Sequence, residues 1–233
     1  ELKSRFVSIA SHEFRTPLST ILSSAYLISK YTKAEEQGNR DKHIARIVSS
    51  VNMLNDILND FLSVGKIEEG KIQIRISEFN FRDAITGLIN EIHTILKPGQ
   101  QINYTHLGNE TAMLEPSLLR HIIMNLLSNA IKFSPENSPI NISTVHEPGR
   151  LVLTVEDKGL GISDEDKTHL FGRFFRGSNV INIQGTGLGL HIVAKYAELM
   201  NGTVICNSEL NKGTSFIINF DLNKTDNENH TTD

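Results

Sequence analysis

Apolar residues recur at helical intervals through the first seventy positions. Phe14, Leu18, Ile21, Ala25 and Ile28 step by four, three, four and three, the spacing of one helical face. A polar break, YTKAEEQGNRDK, leads to a second stripe of Ile44, Ile47, Val51, Leu54, Leu58 and Phe61, which keeps a heptad seam and ends near Gly65 to Gly70. Two such helices joined by a short loop make an antiparallel hairpin, and a hairpin alone cannot cover both stripes. Pairing with a second copy is the economical solution. Residues 1–70 are therefore expected to form a homodimer, as a dimeric four-helix bundle.

From Lys71 the rhythm changes. Ile72, Ile74 and Ile76 alternate as a strand does, and Asn80 reads as the cap of a helix with Phe81, Ile85, Leu88, Ile92 and Ile95 on one face. Strands are expected near Gln101–Thr105 and Thr111–Leu114, and Pro116 opens an apolar helix to about Phe133. Strands at Ile140–Val145 and Leu151–Glu156, a helix at about Thr186–Met200, and strands at Thr203–Asn207 and Thr214–Phe220 follow. This order predicts a two-layer α+β sandwich over residues 71–222, with a mixed, largely antiparallel sheet. The polar tail 223–233 is expected to be disordered.

Composition narrows the classes. The 233 residues carry a net charge of −4 with both signs spread along the chain, which argues against a nucleic-acid binder held by phosphate neutralisation. A single cysteine, Cys206, excludes an internal disulfide and suits a reducing compartment. No apolar run approaches the roughly 20 residues of a membrane span, and no signal peptide opens the chain. The helical pattern is already under way at Leu2 and Phe6, so the chain reads as a piece of a longer protein.

Candidate chemistry sits at five places. In SHEFRTPL (Ser11–Leu18), His12 falls about 160° from Phe14 at the usual helical rotation, on the outward face with Thr16, and Pro17 predicts a bend just beyond. On its own His12 reads as one solvated histidine among nine. In EDKGLGI (Glu156–Ile162), Asp157 stands at a strand end where a carboxylate can accept from a ligand amine, and Gly159 and Gly161 allow close backbone approach. GTGLGL (Gly185–Leu190) places Gly185, Gly187 and Gly189 before a helix, where free N–H groups favour phosphate. Taken singly, each glycine cluster is equally an ordinary turn.

NLLSNAIKF (Asn125–Phe133) puts Asn125, Asn129 and Lys132 on one side of an apolar helix. The two amide oxygens are candidate Mg²⁺ ligands, and Lys132 can offset phosphate charge. FGRFFRG (Phe171–Gly177) sets Arg173 and Arg176 in a glycine-flanked loop, as a hinged lid requires. Jointly the pieces fit one task, the binding of ATP with Mg²⁺.

Over nearly its full length the sequence resembles the sensor histidine kinases of two-component systems. SHEFRTPL is similar to their phosphoacceptor box, NLLSNAIKFSP to the N box, DKGLGI and GTGLGL to the two glycine boxes, and FGRFFRG to the F box. NKGTSF, with Thr214, is similar to the closing glycine–threonine element, and Leu188 belongs to the second glycine box. Lys158 stands where Asn is more usual, and Gly172 replaces a common acidic residue, which would loosen the lid.

The resemblance implies a dimerisation and phosphotransfer bundle, then an ATP-binding domain of the gyrase, chaperone and histidine kinase type. It implies that His12 is the nucleophile and Glu13 the base that takes or orients its proton. Thr16 would position water for dephosphorylating a partner. It further implies a response-regulator receiver domain as partner and a cytoplasmic setting, for a protein that can be anchored elsewhere in an inner membrane. The rivals are a related ATPase without phosphohistidine and a silent dimeric scaffold. The first has no use for His12 and Glu13, and the second is at odds with chemically intact boxes.

Overall fold

Two long helices take up the first stripes. The computed structural model describes residues 2–180, 183 and 185–223. Helix α1 (Leu2–Lys30) runs unbroken through Pro17, and α2 (Gln37–Glu68) follows a short turn. Arg40 fastens that turn, its guanidinium donating to the carbonyls of Tyr31 at 2.6 Å and Lys33 at 2.9 Å. The end of α2 is set by Gly70, whose φ of 61° is a left-handed conformation natural to glycine. Its N–H donates to Ile67 O, and the Lys71 N–H to Lys66 O, closing a Schellman turn.

The hairpin buries only part of the stripes that the apolar spacing marks. Buried on α2 are His43, Ser50, Ile57, Phe61 and Val64, and on α1 Glu13, Pro17 and Ser24. Of the expected stripes, Phe14, Ile21, Ile28, Ile47 and Leu54 are half-buried, while Leu18, Ala25, Ile44, Val51 and Leu58 are exposed. Leu22, Tyr26, Val48 and Leu62 join this uncovered apolar surface. The single hairpin therefore leaves much of both stripes uncovered, as expected of two helices alone.

The chain forms two compact units, Glu1–Lys71 with Asn182–Leu188, and Ile72–Ile181 with Gly189–Asp233. In the second unit β1 (Ser77–Asn80) leads into α3 (Phe81–Ile92), capped by the Asn80 side chain accepting from the Asp83 N–H at 2.9 Å. Ile72, Ile74 and Ile76, whose alternation reads as a strand, are half-buried but form no ladder, and the strand begins at Ser77. Ile95 lies beyond α3 and is exposed, because the helix ends at Ile92.

The remaining elements are β2 (Gln101–Gly108), β3 (Thr111–Leu114), α4 (Pro116–Phe133), β4 (Pro139–Glu147), β5 (Arg150–Asp157), α5 (Asp164–Lys167), α6 (Gly189–Leu199), β6 (Gly202–Glu209) and β7 (Gly213–Asp221). β1 pairs with β3, and the main sheet has the order β2-β4-β5-β7-β6. Only its β2–β4 pair is parallel, as a connection through the helix α4 permits. Leu151, Leu153 and Val155 of β5 and Phe216, Ile218 and Phe220 of β7 are buried on one face, with Ile122, Ile123 and Leu126 of α4 among the largest buried side chains. The unit is a two-layer sandwich with its own core. Of the tail 223–233 expected to be disordered, Asn223 is ordered, its N–H donating to Asp221 Oδ1 at 3.0 Å, and residues 224–233 lie outside the described residues.

Candidate active site

On α1, consecutive side chains diverge by about 100°, and this separates the first candidate pair. The His12 side chain is 74% exposed, whereas that of Glu13 is 7% exposed on the inward face. Even so, His12 Nδ1 lies 3.5 Å from Glu13 Oε1, so one ring nitrogen faces a carboxylate. Thr16 is exposed one turn further along. Phe14 packs inward against the Phe61 ring, 6.2 Å between centroids.

In the second unit, Asp157 closes β5 and is buried. Its Oδ1 accepts from the Gly159 N–H at 2.7 Å, and the backbone of Thr214 also donates to the carboxylate. Burial outweighs these bonds and pushes its pKa up to about 6. Gly159 is required by crowding, since a Cβ there would stand 2.7 Å from the Phe133 carbonyl oxygen. Gly161 has a φ of 67°, and its carbonyl accepts from the Asn179 amide at 2.9 Å. Thr214 is the cross-strand partner of Asp157. These four predicted residues come together around one strand end.

Helix α4 carries the amide pair. Glu115 caps it by accepting from the Leu118 N–H, and Pro116 occupies its first turn. Asn125 Nδ2 donates to His121 O at 3.0 Å, which leaves its amide oxygen as the acceptor. A Cβ on Gly189 would lie 2.6 Å from that oxygen, so the last glycine of GTGLG sits against Asn125. An amide oxygen kept open by glycine suits a hard cation. Asn129 lies half-buried one turn on, and Lys132 Nζ is 5.0 Å from the centre of the Phe133 ring. Among the described residues no cluster of three or more His, Cys, Asp and Glu could hold a metal.

The end of α4 is fixed by residues that sequence reasoning missed. Lys97 Nζ donates to Lys132 O at 2.7 Å and Ser134 O at 2.6 Å, while the buried Gln100 amide donates to Ile131 O, Ser134 O and Pro135 O. The Leu160 N–H donates to Phe133 O. The carbonyls a helix leaves unpaired at its C-terminus are thereby satisfied next to Lys132. Nothing in local spacing ties Lys97 to a helix 35 residues away.

The FGRFFRG loop is closed at its base by Asp166, which accepts from the Ser178 N–H at 3.0 Å and the Ser178 hydroxyl at 3.1 Å. These bonds, the backbone one foremost, hold the Asp166 carboxyl below its usual range. Arg176 is half-buried and donates to Val180 O at 3.3 Å. Phe174, buried, has a φ of 59°, an uncommon left-handed conformation for an aromatic residue. Gly172, expected to loosen this loop, is held by its own N–H to His169 O at 2.8 Å. Gly185, Gly187 and Leu188 belong to the first unit. There the Thr186 hydroxyl donates to Asp60 at 2.8 Å and accepts from the Leu188 N–H.

Residues 2–70 match the His Kinase A (phospho-acceptor) domain family, and residues 115–224 match the histidine kinase-, DNA gyrase B- and HSP90-like ATPase family. The chain belongs to the sensor histidine kinases. Among relatives of this kinase core, it is 30% identical to the sensor protein RprX of Bacteroides fragilis over 97% of its own length and 45% of that protein. It is 34% identical to the sensor histidine kinase GacS of Pseudomonas protegens over 96% of its length and 25% of that protein. It thus spans less than half of either relative. The Acinetobacter baumannii histidine kinase AdeS shares its fold, with a TM-score of 0.68 and 21% identity across 91% of this kinase core and 98% of AdeS.

Proposed function

We propose that this chain is an ATP-dependent protein-histidine kinase core that phosphorylates its own His12 and passes the phosphoryl group to an aspartate of a response-regulator receiver domain. The observation that carries this reading is an exposed imidazole with one nitrogen beside a buried carboxylate, within a matched phospho-acceptor domain. Nε2 attacks the γ-phosphorus of ATP, forming the N–P bond as the bond to the β,γ-bridging oxygen breaks, and ADP departs with that electron pair. The Nδ1 proton moves to Glu13, which leaves the ring of the phosphohistidine uncharged while the phosphoryl group stays anionic.

Asp157 accepts from the adenine amine, and Thr214, Gly159 and Gly161 shape the pocket around it. Asn125 and Asn129 would hold Mg²⁺, which supplies charge neutralisation to the phosphates. Lys132 and Arg176 offset the remaining phosphate charge, and Gly189, at the start of α6, supplies a backbone N–H group. Thr16, exposed beside His12, holds water for dephosphorylating the receiver. Residues 1–70 serve dimerisation and phosphotransfer, and residues 71–222 serve catalysis, in a cytoplasmic setting. The uncovered side chains Leu18, Leu22, Val48 and Leu62 meet a second copy to complete a four-helix bundle.

Incubation with γ-labelled ATP tests the reading. Acid-labile label on the protein is the expected result. ATP turnover without label would make it an ATPase, and nucleotide binding alone a scaffold.

A further inference from the structure

Ser208 of β6 lies opposite Thr214 of β7, which in turn lies opposite Asp157 of β5. Its hydroxyl touches three groups: the Ile162 N–H at 2.9 Å, the Gly213 carbonyl oxygen at 2.8 Å and Thr214 Oγ1 at 2.9 Å. A hydroxyl has one proton and two lone pairs. The Gly213 carbonyl can only accept, so it takes the Ser208 proton. The Ile162 N–H can only donate, so it takes one lone pair. One lone pair remains, and the 2.9 Å contact is satisfied only when the Thr214 hydroxyl donates to Ser208. The proton of Thr214 is thus committed, and its oxygen offers only lone pairs to anything else.

Asp157 and Thr214 are both buried, on the helix-covered side of adjacent strands, where cross-strand side chains stand about 5 Å apart.

We propose that Ser208 is a positioning residue that sets base specificity: by holding the Thr214 hydroxyl as a donor to itself, it makes Asp157 and Thr214 an all-acceptor pair. Such a pair complements an exocyclic amine with two N–H bonds and opposes a carbonyl oxygen in the same place. The assignment rests on the nucleotide-binding reading above and names the purine edge that the site reads, 6-amino over 6-oxo. Without Ser208, the Thr214 hydroxyl is released to turn and donate to a carbonyl.

The test is calorimetric titration of the whole chain with ADP and with inosine diphosphate, which carries the 6-oxo group. Wild type is expected to prefer ADP. Ser208→Ala is expected to reduce the ADP-to-inosine-diphosphate affinity ratio about tenfold or more, the scale of one hydrogen bond. Ser208→Thr, which keeps the hydroxyl, should restore the ratio, and Thr214→Val should lower it. A Ser208→Ala protein that melts earlier but keeps the wild-type ratio overturns the assignment. Should that variant not fold, an unchanged ratio in Thr214→Val overturns it equally. Wild type that binds neither nucleotide contradicts the kinase reading itself, and that failure is visible before any variant is measured.

Discussion

The two units differ in where their apolar residues end up. In the sandwich, Leu127, Ile140, Ile218 and Phe220 have no measurable exposure, whereas in the hairpin Leu22 is 74% exposed and Leu18, Val48 and Leu62 more than half. The first unit buries serine and histidine between its helices, with His43 Nδ1 3.4 Å from Ser24 Oγ, and leaves leucines outside. A sheet with helices on one face closes its core within one chain, while a helical hairpin does not. Self-sufficiency suits a domain that binds nucleotide, and incompleteness suits one that must assemble.

The largest expected effect breaks the comparison at the hairpin. Leu22→Glu should convert a dimer to a monomer, because a charge buried in a bundle core costs several kcal/mol. If the hairpin were complete alone, the same change at an exposed site would shift stability by no more than about 0.5 kcal/mol. Light scattering at micromolar concentration distinguishes the two. In the sandwich, Leu127→Ala should destabilise the second unit by about 2–5 kcal/mol without altering the dimer. Urea unfolding read alongside light scattering checks both halves of that statement.

This comparison also marks what the sequence made legible. The sandwich was readable to within a few residues because its alternating and helical patterns find their cover inside the chain, as on β5 and α4. On α1 the same periodicity singled out Leu18 and Ala25, which the hairpin leaves exposed, and passed over Ser24, which it buries. Asp157 and the glycines stand out as candidates because they lie within a few consecutive residues. Ser208, Lys97 and Gln100 were not, because each acts through hydrogen bonds to distant segments, and a single polar residue in a strand or loop carries no signal of its partner.

A smaller effect concerns pH. Burial raises the Asp157 pKa from 3.8 to about 6, so between those values the folded chain keeps a proton that the unfolded chain has lost. Its contribution to stability is complete below 3.8 and is lost as pH rises through about 6. In nucleotide-free protein, Asp157→Asn should therefore gain stability relative to wild type as pH rises from about 4 to about 7.5. The gain should reach at most about 3 kcal/mol, the equivalent of about two pKa units. Urea midpoints across that range check the sign, and a constant difference would show that Asp157 is not held as described.

The smallest change should come from Lys97→Met. It removes the ammonium from the Lys132 and Ser134 carbonyls and should cost the second unit about 1–3 kcal/mol, the scale for hydrogen bonds to a charged group. Hydrogen exchange should localise the loss to the last turn of α4, and uniform loss across the unit would contradict a local cap.

The central claim is that the first unit carries the phosphoryl acceptor and the second reads the nucleotide. The most direct measurement pairs ADP affinity with uptake of γ-label in His12→Gln. An exposed side chain can be replaced without disturbing either core, so ADP affinity should equal that of wild type while acid-labile label disappears. Label retained by His12→Gln at the wild-type level would contradict the account.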